Sequence, residues 1–454
     1  MKRSEPGRDV LTVGFISLGC PKNRVDSQTM AGILLGDGIA LAPSPEEADV
    51  VIVNTCAFIE DARAESLEAI EAACRLKAAG PCRAVLVTGC FPQRYRERLG
   101  DMLPGVDAFI GLDELTEVAA VVRRLGRGER RIVQVSDRSG RLFEPPATGV
   151  VFSTGPYAYV KIAEGCDHRC TFCAIPGIRG AYRSRPVEAI VREAEGLLQR
   201  GFRELDLISQ DITGYGRDQA GGADLPALLR ALGRVGGKFW IRLLYGYPSR
   251  VTDALLTAMG ETPQVCRSLD LPIQHSQPAI LKAMGRAGTV NAVREMATRI
   301  RRALPEAALR TTCLVGFPGE TDEMFDHLLA FIRETQFDHV GVFVFSPEED
   351  TPAFGLPDRP DRRTAEERRD RLMQAQQEIV ARKSASLVGH ADDILLERRM
   401  TGKTGGWIGR SYRQAPEVDG EVFVKGAARE AKPGDFVQAR YTAAAGYDMK
   451  AAVS

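Results

Sequence analysis

Four short apolar runs between Val13 and Ala163 each lead into a loop that carries cysteine, and this repetition restricts the fold more than any other feature of the chain. Val13 to Leu18 (VGFISL) leads to Gly19-Cys20-Pro21-Lys22-Asn23, Asp49 to Val53 (DVVIV) to Asn54-Thr55-Cys56-Ala57-Phe58, and Ala84 to Val87 (AVLV) to Thr88-Gly89-Cys90-Phe91. Ala158 to Ala163 (AYVKIA) feeds the fourth loop, which holds Cys166, Cys170 and Cys173. Short apolar runs alternating with helical stretches read as an α/β sheet with crossover helices. Ligands of open α/β sheets gather outside the carboxyl ends of the strands. Cysteines far apart in sequence can therefore converge on one point. Spacing alone leaves Cys20, Cys56 and Cys90 open between such a site and ordinary packed or surface thiols.

The fourth loop says more. Cys166, Cys170 and Cys173 stand at offsets of four and three, with no fourth cysteine nearby. Iron in a cubane cluster prefers four thiolates, so three leave one iron open, and an open metal position is where substrate or cofactor chemistry occurs. Structural zinc would want a fourth Cys or His in register. His168 is available but sits inside the loop, a cramped place for that ligand.

The chain has 454 residues, too long for one ordinary domain and suited to about three. Lys+Arg and Asp+Glu balance at 60 each, which builds in no global attraction to nucleic acid or anionic lipid. No apolar run approaches the ~20 residues that span a bilayer, and the first residues lack the apolar core of a secretory signal. Ten cysteines without such a signal suggest a reducing cytoplasm and metal ligation.

Residues 10–126 read as the first α/β domain and 127–151, rich in Arg and Gly, as a linker. In 152–382 a second α/β series has strands at Glu204–Ile208, Phe239–Leu244, Ser268–Ile273, Arg310–Val315 and Val340–Phe345. About six βα units fit an incomplete TIM-like barrel. The charge-dense run Asp358 to Lys383 reads as a helix with a solvated face bridging two domains. Short β runs in 385–454 suggest a small β-barrel. Gly402-Lys403-Thr404 is no phosphate loop, because Glu397 replaces the upstream glycine. Cys266 and Cys313, near or in apolar strands, read as packing residues, and Cys74 and Cys82 belong to no cysteine loop.

The C-x3-C-x2-C loop, with Phe172 before its last cysteine, resembles the signature of radical S-adenosylmethionine (SAM) enzymes. Three cysteine-loop strands, this barrel and a small terminal β-barrel together resemble the radical SAM methylthiotransferases over nearly the whole chain. The resemblance implies an amino-terminal methylthiotransferase domain, a (β/α)6 radical SAM core and a carboxy-terminal TRAM domain. It implies that Cys166, Cys170 and Cys173 hold one 4Fe-4S cluster, whose open iron binds SAM and whose electron cleaves it to a 5′-deoxyadenosyl radical. It implies further that Cys20, Cys56 and Cys90 hold a second cluster, whose sulfur takes a methyl group from another SAM before transfer to carbon. Phe172 would help wall a dry cofactor pocket. Leu314 to Thr321 resembles the family's VGFPGET segment, which implies cofactor contact at Gly316, Gly319 and Glu320. Arg179, Arg183 and Arg185 could offset cluster and carboxylate charge, with at least one an ordinary surface arginine.

Family members act on protein or on tRNA. Ile208 to Gly216 resembles the protein-modifying pattern SQDTxxYG, with Ile212 in place of its threonine. Trp240 to Pro248 resembles WxRLxYxYP, Asp270 to His275 resembles DxPxQH, and Ala415 to Gly420 resembles a tail motif of the same branch. These imply methylthiolation of the β-carbon of an aspartate in the twelfth small-subunit ribosomal protein; the alternative is 2-methylthiolation of tRNA adenosine. Asp211, Tyr245 and His275 are candidates for lining the substrate gap. From Ala385 onward ten Lys/Arg face nine Asp/Glu, and an RNA clamp should be clearly basic. Glu417, Asp419 and Glu421 would suit a basic ribosomal-protein loop. Expected partners are that protein or the ribosome, an electron donor such as flavodoxin or ferredoxin, and a sulfur donor.

Overall fold

The computed structural model describes residues 10–146, 149–286, 290–401 and 405–453. Gly402, Lys403 and Thr404 lie outside the described residues, as do Ala147 and Thr148 of the stretch read as a linker. Strands β1 (Thr12–Ser17), β2 (Ala40–Leu41), β3 (Val50–Thr55), β4 (Ala84–Gly89), β5 (Ala108–Ile110) and β6 (Ile132–Gln134) form one parallel sheet in the order 2-1-3-4-5-6. Every residue of β3 and β4 is buried, as expected of central parallel strands covered by helices on both faces. β6 lies inside the stretch read as a linker, which is a correction. It is a three-residue edge strand with Ile132 buried and Val133 exposed, too brief to register as a pattern.

The second sheet is also wholly parallel and stays open. It consists of β7 (Tyr157–Lys161), β10 (Glu204–Ile208), β11 (Trp240–Leu243), β12 (Val265–Asp270), β13 (Ala308–Val315) and β14 (His339–Val344), in the order 14-13-12-11-10-7. The short pair β8 (Ala163–Glu164) and β9 (Arg183–Ser184) flanks the fourth cysteine loop. Leu205, Leu207, Ile241 and Leu243 join the large apolar core, which also takes in Cys313, while Cys266 packs with Trp240 and Leu395. Both thiols are packing residues, as read. The helix Arg362–Leu387 covers this sheet. Its Leu372, Ala375, Ile379 and Val380 are buried, so the run read as a solvated bridge is amphipathic; Arg362 and Arg363 keep exposed pairs with Glu366 and Glu367.

Strands β15 (Ala391–Arg399), β16 (Trp407–Arg410), β17 (Val422–Lys425), β18 (Phe436–Ala445) and β19 (Asp448–Val453) close the tail into a barrel in the order 15-16-17-19-18. The segment between β16 and β17 seals the inner face of the open sheet. Arg410 donates to Glu204 at 2.6 Å, Arg242 donates to Glu204 at 2.6 Å, and all three are fully buried or nearly so. The acids expected to face a partner are mostly engaged here. Glu417 pairs with Arg24 of the first domain and accepts from Tyr157 at 2.6 Å, and Asp419 pairs with Arg310 and lies 3.2 Å from His339. Glu421 accepts from Arg398 at 2.6 Å. Sequence clustering exposed their charge, but tertiary packing uses it to join three domains. Among the described residues, no helix is long and apolar enough to cross a membrane.

Candidate active site

The first three cysteine loops emerge from adjacent carboxyl ends of one sheet. Cys20 follows β1 and caps the helix Pro21–Gly36, Cys56 follows β3, and Cys90 opens the helix Cys90–Tyr95 directly after β4. Gly19 lets two of these loops touch. It sits at φ +85°, and a Cβ there would stand 2.8 Å from Cβ of Cys56, so neither the conformation nor the space admits a side chain. Asn23 ties the same loops together, donating to the carbonyls of Thr55 at 2.8 Å and Leu18 at 3.2 Å.

The fourth loop faces them. Its backbone is held within the loop, with Cys173 N–H donating to Cys170 O at 3.1 Å, and from outside it, with Cys166 N–H donating to Gly180 O and Thr171 N–H to Met284 O at 3.0 Å each. A buried ionic square then fixes one domain against the other. Arg179 donates to Asn23 at 2.5 Å, Asp26 at 2.9 Å and Glu164 at 3.0 Å, and Lys161 donates to Asp26 and Glu164 at 2.6 Å each. Burial opposes the charge on Glu164, but Arg179 and Lys161 outweigh it and hold the carboxyl far below its usual range. Arg185 is equally buried against Glu144 and Glu193, and Arg183 is half-buried against backbone carbonyls. None of the three is an ordinary surface arginine, which corrects that expectation.

All six cysteines line one cavity of about 330 Å3. Burial raises the Cys90 and Cys173 thiols to about 12 and Cys166 to about 11. Such thiols lose their protons most readily to a metal, which binds the thiolate. Among the described residues, no three His, Cys, Asp or Glu side chains gather closely enough to chelate a single ion. Thiols spread around a cavity in two sets of three fit a body wider than one ion, as a cubane cluster is.

Phe172, Asp211 and Tyr245 share this wall, with Phe58 and Ile175 adding apolar surface. Asp211 accepts from His168 at 2.8 Å and Arg250 at 2.6 Å, and these bonds with that from Thr213 overcome burial to lower its pKa. His168 also stacks on Tyr247, with ring centres 3.8 Å apart, an engagement that occupies it otherwise than as a ligand. Tyr245 and Gln274, at the ends of neighbouring strands, have φ of +66° and +69°. Non-glycine residues held there store strain, which clusters at functional sites.

Four expected contacts lie off the cavity wall. His275 is fully buried, accepting from Gln277 N–H at 3.0 Å and donating to Glu320 at 3.3 Å. Glu320 is spent on Gly316 N–H, His275 and Arg368. Gly316 is needed for helix packing, because a Cβ there would meet Ala365 at 2.5 Å. Gly319 likewise is not among the lining residues. Gly316 and Glu320, with His275 behind Glu320, brace the sheet against the helix Arg362–Leu387. In their place the wall includes Lys22, Gln210, Tyr247, Gln274 and Arg286, to which the motifs assigned no role. Lys22 Nζ sits 3.2 Å from the centre of the Tyr245 ring, and burial draws its pKa down to about 8. Its place two residues after a strand-end cysteine was the signal that could have found it.

An open six-stranded parallel sheet with C-x3-C-x2-C after its first strand defines the radical SAM class, and residues 160–332 match the radical SAM superfamily model. Residues 12–111 match uncharacterized protein family UPF0004, and 388–453 match the TRAM domain. Among solved structures, the radical S-adenosylmethionine methyltransferase TsrM from Kitasatospora setae shares the fold, with a TM-score of 0.56 and 15% identity over 76% of this chain and 74% of that one. Ribosomal protein uS12 methylthiotransferase RimO of Syntrophus aciditrophicus is 46% identical over 444 residues, covering 97% of this chain and 98% of that protein. The same-named protein of Geobacter sulfurreducens is 43% identical over 437 residues, covering 96% and 97%. The chain belongs to this RimO family.

Proposed function

We propose that this protein methylthiolates the β-carbon of an aspartate in ribosomal protein uS12. Two triads of thiols on a single cavity carry the reading, because radical formation and sulfur transfer must meet at one substrate carbon. The substrate follows that of the similar ribosomal protein uS12 methylthiotransferases. Cys166, Cys170 and Cys173 would hold one 4Fe-4S cluster, and Cys20, Cys56 and Cys90 a second. With SAM bound, these groups supply the radical that activates an unreactive C–H bond and the sulfur that replaces the hydrogen.

The chain's own residues do the rest. Phe58, Phe172 and Ile175 present apolar surface that keeps water from a reactive intermediate. The Lys161–Asp26–Arg179–Glu164 square holds the two triads at one separation, so the reacting groups meet without a search. Asp211, pinned by His168 and Arg250, braces the wall beside the fourth loop. An external one-electron donor such as flavodoxin or ferredoxin and a separate sulfur donor complete the cycle, in the cytoplasm where ribosomal proteins work.

Anaerobic reconstitution with iron, sulfide, reductant and SAM, followed by incubation with uS12 or undermodified tRNA, tests the proposal. A methylthio mass gain on the uS12 aspartate is expected. A gain on nucleoside instead would overturn it.

A further inference from the structure

The cavity wall carries four basic side chains, Lys22, His168, Arg179 and Arg286. Three already have hydrogen-bond acceptors. Arg179 serves Asn23, Asp26 and Glu164, His168 serves Asp211, and Arg286 donates to Pro272 O at 2.6 Å. Lys22 differs. It is only 7% exposed, and among the described residues it has no hydrogen-bond acceptor and no ion pair; its ammonium rests on the Tyr245 ring. No acid near in charge pairs with it. Asp270 accepts from Tyr245 N–H at 3.3 Å through Oδ2, while its Oδ1 has no hydrogen-bond partner and lies 3.9 Å from Arg310; Glu164 is held in the ionic square. A cation held out of water without an acceptor is costly, and an incoming carboxylate would supply one.

We propose that Lys22 binds the side-chain carboxylate of the substrate aspartate and thereby selects an acidic residue over a neutral one. The proposal rests on the aspartate reading above. The carboxylate carbon is bonded directly to the β-carbon, so anchoring the one confines the other to within a bond length of a fixed point. Gln210 offers a complementary contact for a peptide. Its amide nitrogen donates to Glu164 at 3.0 Å, while its Oε1 is buried without a partner and can accept a backbone N–H. A nucleoside base carries no negative charge to satisfy Lys22.

The test uses holoenzyme with both clusters reconstituted and a uS12 peptide spanning the target, alongside its Asp→Asn counterpart. For the unsubstituted enzyme the aspartate peptide should bind about ten- to a hundredfold tighter, the range of a charge-assisted hydrogen bond. Lys22→Met should remove that preference and raise KM more than it lowers kcat, and Lys22→Arg should restore much of it. Iron per chain serves as the check that Lys22→Met still carries its clusters. If the unsubstituted enzyme binds both peptides alike, or Lys22→Met keeps the original ratio, the proposal is overturned and the lysine serves the neighbouring cysteine loop instead. Failure of the unsubstituted enzyme to modify the aspartate peptide at all would overturn the proposed function, and this inference with it; modification with an unchanged ratio overturns the inference alone.

Discussion

The two cysteine triads share a cavity but are built in opposite ways. Cys166, Cys170 and Cys173 lie within eight residues of one loop, where Cys173 N–H donates to Cys170 O at 3.1 Å. Cys20, Cys56 and Cys90 span seventy residues and come together only because β1, β3 and β4 are neighbours in one sheet. The first triad is therefore a property of a loop, the second of a domain. Damage to packing should reach the second first.

Replacing Cys20, Cys56 and Cys90 together with alanine gives the largest effect. Iron content should fall by about half, since one of two similar clusters loses its thiolates, and methylthiolation should vanish while reductive SAM cleavage persists. Iron analysis and product mass spectrometry check this, and unchanged iron would remove the second cluster.

Arg179→Met attacks the weld between the triads. It leaves Asp26 and Glu164 to share Lys161 alone in a buried site, and removing one partner of such a network costs about 3–5 kcal/mol. Chemical denaturation should report that loss, and retention of wild-type stability would mean that the square is not what holds the domains. Gly19→Ala is milder. Its Cβ would press on Cys56, and strain at a positive φ costs about 1–3 kcal/mol. Iron should be lost preferentially from the dispersed triad; equal loss from both would break the contrast drawn above.

Asp206→Asn should give the smallest effect and the opposite sign. Burial first, and then the charge of Glu204, raise the Asp206 pKa well above its usual value, and both its oxygens lack hydrogen-bond partners. The unfolded chain ionises Asp206 near pH 4 while the folded chain resists, so stability falls as pH rises from there toward the folded pKa. The amide removes that penalty. A gain of about 1 kcal/mol at pH 7, shrinking toward pH 4, should appear in thermal melts, with the iron ratio of the triads unchanged. A loss at pH 7 would contradict the assigned ionisation.

Much of this arrangement was legible because parallel strands buried on both faces read as continuous apolar runs, and each of β1, β3, β4 and β7 announced a cysteine loop. β6 was not legible, because three edge residues carry one buried side chain. Glu320 and His275 pose a different problem. They occupy motif positions suggestive of the cavity, yet their polar atoms are turned to one another and to Arg368. Glu417 and Asp419 looked like a surface for a partner because sequence records charge without its counter-charge, and Arg24 and Arg310 lie 393 and 109 residues away.

By itself the sequence determined the strand-and-loop order, the compact triad and the family, since each resides in contiguous residues. Only the tertiary structure decided that the dispersed triad meets the compact one, that Lys22 stands without an acceptor beside them, and that Glu417 and Asp419 pair within the chain. Those facts depend on which side chains share a space and which charges are already paired. Chain order does not specify either until the sheets have packed.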